Sequence, residues 1–135
     1  MKPLTEQKMY SVLLRFSDID AYGHVHNAAY FHFFESARVQ YFQEILGQNW
    51  DWQKEGVVLV ENHAQYLNPV YFEDQANISI RVTKIGNKSF TLTYHLWVNG
   101  KEHCRGSSTL VCYNHTMKQS IALPEKLKTA LNQLI

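Results

Sequence analysis

The stretch from about Ala28 to Leu46 constrains the fold more than any other part of the chain. Tyr30, Phe33, Phe34, Ala37, Tyr41 and Ile45 recur at the three, four, seven spacing of one helical face. Phe31, Phe42 and Leu46 widen that face well past a narrow stripe, so the predicted helix needs cover over most of its circumference. Gly47 supplies its stop.

The flanking segments carry the other period. Residues 9–16 alternate, with Tyr10, Val12, Leu14 and Phe16 on one side of a predicted half-buried strand. Downstream, Val57–Leu67 is strand-like and closes at Asn68-Pro69. Ala76, Ile78, Ile80 and Val82 alternate, Gly86-Asn87 turns the chain, and Phe90, Leu92, Tyr94, Leu96 and Val98 alternate again. Asn99-Gly100 is the strongest hairpin signal, because both central residues of a type I′ turn need positive φ. Cys104–Tyr113 then returns antiparallel, and Pro124 opens a short terminal helix at its first position. This order predicts an α+β fold, a strongly twisted five-stranded antiparallel sheet wrapped around one long central helix.

With 135 residues the chain suffices for one domain with a real core and not comfortably for two, so a single domain over 1–135 is expected. A net charge of +1 with mixed signs offers neither a basic stripe for nucleic acid nor an acidic tail. The opening MKPLTEQKMYSVLLRF lacks the uninterrupted apolar run of a leader, and no apolar run is long enough to span a bilayer. A cytoplasmic protein with no membrane partner is the expectation. Cys104 and Cys112, eight apart on one predicted strand, would lie roughly 27 Å from each other at about 3.3–3.4 Å per residue, too far to pair. They read as buried thiols in a reducing compartment.

Chemistry concentrates in residues 15–38, RFSDIDAYGHVHNAAYFHFFESAR. Asp18 and Asp20 precede Gly23, His24, Val25, His26 and Asn27, which lead into the long helix. A carboxylate beside a helix N-terminus can attack or hydrate an acyl carbonyl, while unpaired amides at the helix start carry the positive end of its dipole. Gly23, free to adopt positive φ, lets the loop fold Asp20 back over the helix end. Spacing alone nevertheless favours a turn-capping role for Asp20 over a catalytic one. Asp18 reads as a turn-forming or salt-bridging residue, Asn27 as a helix cap, and Glu35 with Arg38 as an i,i+3 ion pair. His24 and His26 lack a third ligand at convincing metal spacing. Neither a glycine-rich phosphate loop nor a GxSxG elbow is present.

The set Asp18, Asp20, Gly23, His24, Val25, Asn27, Tyr30, Glu35, Ala37 and Arg38 resembles the D-x-D-x-x-G-H-V block of hotdog-fold acyl-CoA thioesterases of the 4-hydroxybenzoyl-CoA thioesterase-like type. His26 departs from it, standing where that pattern commonly has Asn. Tyr66-Leu67-Asn68-Pro69 with Phe72-Glu73-Asp74 is similar to the family's Y-x-x-P turn, and Leu123-Pro124 to the start of its terminal helix. The resemblance implies hydrolysis of a coenzyme A thioester without metal or cofactor, by a homodimer or tetramer with active sites at subunit interfaces. It implies Asp20 as the catalytic carboxylate and the Asn27 amide as the donor polarising the thioester carbonyl. Gly23, His24, Val25 and Tyr30 would line the substrate. Lys84, Lys88, Arg81 and Arg105 are candidates for the coenzyme A phosphates. Hydrolysis of an acyl carrier protein thioester, or acyl-CoA binding without catalysis, are the alternatives; the aromatic content leaves aryl and aliphatic acyl groups both open.

Overall fold

The computed structural model describes residues 7–135; the first six residues of the stretch read for a leader lie outside them. The described elements are strand β1 (Met9–Ser11), a 3₁₀ turn (Phe16–Asp18), helix α1 (Ala29–Leu46), strands β2 (Gly56–Tyr66), β3 (Ala76–Ile85), β4 (Ser89–Val98), β5 (Lys101–Asn114) and β6 (Gln119–Ser120), and helix α2 (Glu125–Asn132). The sheet runs β1-β3-β4-β5-β2, with β6 added on β5. β1 pairs antiparallel to β3 with Tyr10 opposite Ile78, and β6 antiparallel to β5 with Tyr113 opposite Ser120.

Three sequence expectations need correction. The first strand ends at Ser11 instead of Phe16, because Arg15 to Asp18 turn back on themselves, and Phe16 is left 83% exposed. Pro124 caps α2 and does not occupy its first turn. A sixth strand, β6, forms because Asn114 Oδ1 accepts the Thr116 and Met117 amides and Lys118 takes positive φ, folding the chain back onto β5.

Contacts divide the described chain into two parts. In the part made of the residues up to Val39 with 64–80 and 94–106, the buried side chains include Val25, Tyr30, Phe34, Ile78, Tyr94 and Cys104. Phe34 stacks on Tyr94 at 4.7 Å between centroids, nearly parallel, and Arg38 donates to the Tyr94 hydroxyl at 2.8 Å. Burying a ring such as Phe34 contributes about 1.5–3 kcal/mol. Glu35 completes the expected pair with Arg38 at 3.7 Å. The Asn99-Gly100 turn has the positive φ values, 51° and 76°, that the hairpin required.

In the other part, residues 40–63, 81–93 and 107–135, Phe42 packs edge-on against Phe90 and the Tyr41 hydroxyl donates to the Ala130 carbonyl. Leu127, Ala130 and Leu131 of α2 are buried there. The Trp50 indole donates to the Glu55 carbonyl at 2.8 Å, and Trp52 packs on Phe42, so both tryptophans close the connection from α1 to β2. Gly56 must lack a side chain, since a Cβ there would lie 2.1 Å from the Trp52 carbonyl oxygen.

Along α1 the buried residues include Tyr30, Phe33, Phe34, Ala37, Arg38, Tyr41, Phe42 and Leu46, whereas His32, Glu35, Ser36, Val39, Gln43 and Glu44 are exposed. The cover within one chain is therefore narrower than the apolar face alone suggested.

Candidate active site

The loop before α1 is built from its own polar groups. Arg15 donates its backbone N–H to Asp18 Oδ2 at 2.9 Å and its guanidinium to Oδ1 at 3.3 Å, which fixes Asp18 at 6% exposure. Asp18 is thus the salt-bridging residue its position suggested, and its carbonyl accepts the His26 amide. Next, Ile19 and Val25 face each other in an antiparallel bridge, closing residues 20–24 into a tight turn. Asp20 donates its amide to the His24 carbonyl at 2.8 Å, and the Gly23 amide returns to the Asp20 carbonyl at 3.1 Å. Gly23 sits at φ +79°, a region a side chain would disfavour.

Asp20 Oδ1 accepts the Tyr22 amide at 2.9 Å and the His24 amide at 3.1 Å. The turn-capping role is therefore real. One carboxylate oxygen holds the loop, while among the described residues Oδ2 takes no hydrogen bond. The loop is seated on the Y-x-x-P block: Val25 donates its amide to the Val70 carbonyl at 2.8 Å, His24 bridges Tyr71, and the His24 ring meets the Tyr71 ring edge-on at 5.2 Å. Tyr22 is 85% exposed at the loop tip. The block is itself anchored, with the Leu67 and Asn68 amides on the His103 carbonyl and the Tyr71 amide on Asp74 Oδ2.

At the helix start the donors are shared out unevenly. The Ala28 amide donates to His26 Nδ1 at 3.2 Å, and the Ala29 amide to the His26 carbonyl at 2.9 Å. The Tyr66 hydroxyl donates to the Asn27 carbonyl at 2.9 Å. Among the described residues no acceptor meets the Asn27 amide. The side chain that caps is thus His26, not Asn27.

Tyr30 and Val25 lie deeper. Val25 is buried and spends its amide on Val70, so it anchors the loop. The buried Tyr30 ring packs on Tyr66 at 5.2 Å and Phe33 at 6.0 Å. Burial above all, then Cys104 and Tyr66 and more weakly Asp20, raise the Tyr30 hydroxyl far above its ordinary range against a backbone hydrogen bond from Val70. It therefore stays protonated. Burial, with Glu102 adding to it, pushes the Cys104 thiol up to about 12, and burial pushes Cys112 to about 11. Neither is a nucleophile at neutral pH.

Of the phosphate candidates, Arg105 is engaged by Glu102, which also pairs with His95, and Lys88 reaches Ser120 Oγ at 3.4 Å. A cavity of about 320 Å³ lined by Ser11, Val12, Leu14, Phe72, Asp74, Gln75, Ala76 and Asn77 does not include Asp20 or Asn27 in its walls. Among the described residues no three His, Cys, Asp or Glu side chains group as a metal would need, and no helix is long and apolar enough to cross a membrane. Sequence reasoning missed the Tyr66 contact. Its signal was the tyrosine opening the Y-x-x-P block, but only folding brings it to Asn27, 39 positions away.

Residues 14–131 match the model of the thioesterase-like superfamily. The chain belongs to that superfamily. Among relatives of this thioesterase-like chain, the YsmA protein of Bacillus subtilis is 31% identical over 85 residues, a match spanning 62% of this chain and 56% of that protein. A thioesterase from Thermus thermophilus solved with coenzyme A and zinc is 30% identical, with a TM-score of 0.81 over 93% of this chain and 92% of that one. The PA5185 protein of Pseudomonas aeruginosa is 29% identical, with a TM-score of 0.84 over 94% and 90%. The BH1999 gentisyl-coenzyme A thioesterase is 25% identical, with a TM-score of 0.83 over 92% and 99%. The fold is the hotdog fold that the resemblance implied, and the family is one of thioester hydrolases.

Proposed function

We propose that this protein hydrolyses the thioester of an acyl-coenzyme A, with Asp20 as nucleophile or general base and the Asn27 amide as oxyanion donor. Family membership and the coenzyme A thioesterases among its structural relatives support thioester hydrolysis. The observation that carries the finer reading is the division of labour in one loop. Among the described residues, Asp20 is fixed through Oδ1 with Oδ2 unengaged, and of the amides from His24 to Ala29 only that of Asn27 meets no acceptor.

In the nucleophilic form, the Asp20 carboxylate adds to the thioester carbon and the carbonyl oxygen becomes an oxyanion held by the Asn27 amide. Collapse expels the coenzyme A thiolate, leaving an Asp20 anhydride that water cleaves to free acid and carboxylate. In the base form, Asp20 takes a proton from water as its oxygen adds to the same carbon; collapse of the oxyanion breaks the C–S bond to give the free acid, and the departing thiolate takes the proton back from Asp20. One well-aimed amide stabilises the oxyanion by about 3–4 kcal/mol. Gly23 and His24 line the mouth, with Val25 and Tyr30 behind them.

A homo-oligomer belongs to this reading. Among the described strands β2 ends the sheet, and it exposes Val60 (56%) and Leu59, the kind of edge that a second copy covers by strand addition. Light scattering reads this as a mass of twice 15.8 kDa or a multiple of it.

The test is thiol release from a panel of acyl-coenzyme A esters, aliphatic and aryl, beside the same acyl groups on acyl carrier protein. Turnover of at least one coenzyme A ester, faster than its carrier-protein counterpart, is expected. Turnover of carrier-protein esters alone, or tight binding without release, overturns the proposal.

A further inference from the structure

The proposed oxyanion donor is a backbone amide, and a backbone amide points only where its neighbouring peptide planes hold it. Two planes meet at the Asn27 Cα. The plane carrying the Asn27 N–H is held by its carbonyl, that of His26, which accepts the Ala29 amide at 2.9 Å. The plane that follows is held at both ends by side chains: the Tyr66 hydroxyl donates to its carbonyl at 2.9 Å, and its N–H, that of Ala28, donates to His26 Nδ1 at 3.2 Å. Tyr66 stands at the end of β2 and packs its ring on Tyr30, so its reach to Asn27 is set by the sheet and not by the loop.

We propose that Tyr66 and His26 are positioning residues that clamp the Asn27–Ala28 peptide from opposite ends, fixing the direction of the Asn27 amide, which meets no acceptor among the described residues. The inference rests on the reading of Asn27 as oxyanion donor, and deepens it. His26 explains itself in this light. Its ring nitrogen accepts the Ala28 amide, a bond that the carbonyl oxygen of an Asn side chain can also make. Without that acceptor, Ala28 offers a further free amide beside that of Asn27. Without the Tyr66 hydroxyl, the carbonyl of the same peptide is released to turn toward solvent. Neither side chain touches the reacting atoms, so the clamp acts on the transition state through geometry.

The experiment measures kcat and KM separately on the best acyl-coenzyme A for wild type, Tyr66→Phe, His26→Ala and His26→Asn, with thermal unfolding midpoints to confirm the fold. Tyr66→Phe and His26→Ala are each expected to lower kcat about five- to tenfold, the size of one lost hydrogen bond, with KM within about twofold. His26→Asn is expected to recover kcat to within about twofold of wild type. An active wild type whose Tyr66→Phe variant keeps full kcat overturns the clamp, as does a His26→Asn variant no better than His26→Ala. A fall expressed in KM alone assigns both residues to binding and overturns it too. A wild type without thioesterase activity overturns the reading of the site beneath it, an outcome distinct from the others.

Discussion

Replacing Asp20 in two ways separates its structural and chemical roles. Asn in place of Asp keeps a carbonyl oxygen where Oδ1 accepts the Tyr22 and His24 amides, at 2.9 and 3.1 Å, while removing the charge. Ala removes both. Each bond is worth about 0.5–1.5 kcal/mol, and the exposure of the loop tip puts these two at the lower end, about 1–2 kcal/mol together. Urea unfolding is therefore expected to find Asp20→Asn close to wild type and Asp20→Ala less stable by about 1–2 kcal/mol. Hydrolysis divides differently. An amide neither attacks nor takes a proton at neutral pH, so both variants are expected to lose roughly 10²–10⁴ in kcat/KM. The assay is continuous detection of the released thiol, at equal concentrations of protein shown to be folded. An Asp20→Asn variant that keeps more than about a tenth of wild-type kcat/KM refutes the catalytic role. An Asp20→Ala variant as stable as Asp20→Asn refutes the turn-capping role.

The oxyanion donor is tested at Asn27, where Asn27→Ala leaves the amide and is expected to hold kcat within about threefold, whereas Asn27→Pro removes the N–H at a place where a helix start tolerates proline and should cost about 10²-fold or more; equal rates in folded Asn27→Pro and Asn27→Ala protein exclude the amide. Tyr94→Phe keeps the stack on Phe34 but takes the acceptor from the buried Arg38 guanidinium, so a loss of about 1.5–3 kcal/mol in urea unfolding is expected. Glu102 gives a pH dependence: burial opposes its charge, but hydrogen bonds from Arg105 and His95 outweigh burial and hold the carboxyl below its usual range. Its stabilisation is present above the unfolded value of about 4.3 and is lost as pH falls through the lower folded one. The gap in melting temperature between wild type and Glu102→Gln is therefore expected to close as pH drops below about 4, and a gap constant from pH 7 to 3 contradicts the assignment.

The elements were legible in the sequence because their signals are local. The period of α1, the alternation in β3 and β4 and the Asn99-Gly100 turn are read within a few residues of the chain, and the backbone obeys them. The misreadings are local signals overruled by side chains: Asp18 turned the end of the first predicted strand into a 3₁₀ turn, and Asn114 folded β6 onto β5. The Asp20 and Asn27 pattern was visible, but its spacing could not tell a turn cap from a catalyst, and the folded loop makes Asp20 the first whatever else it does.

What the sequence determined by itself was the alternation of one long apolar helix with strands, and the presence of a carboxylate a short loop ahead of a helix start. These follow from covalent order, since residues so close along the chain have little freedom to be elsewhere. How the peptides at that helix start are held was decided only by tertiary structure. It depends on the Tyr66 hydroxyl arriving from the far end of β2 and on His26 turning its ring nitrogen to Ala28. A hydrogen bond across 39 residues exists only once the intervening chain has been folded and its entropy of closure met by the burial of Tyr30, Val25 and Val70 around it.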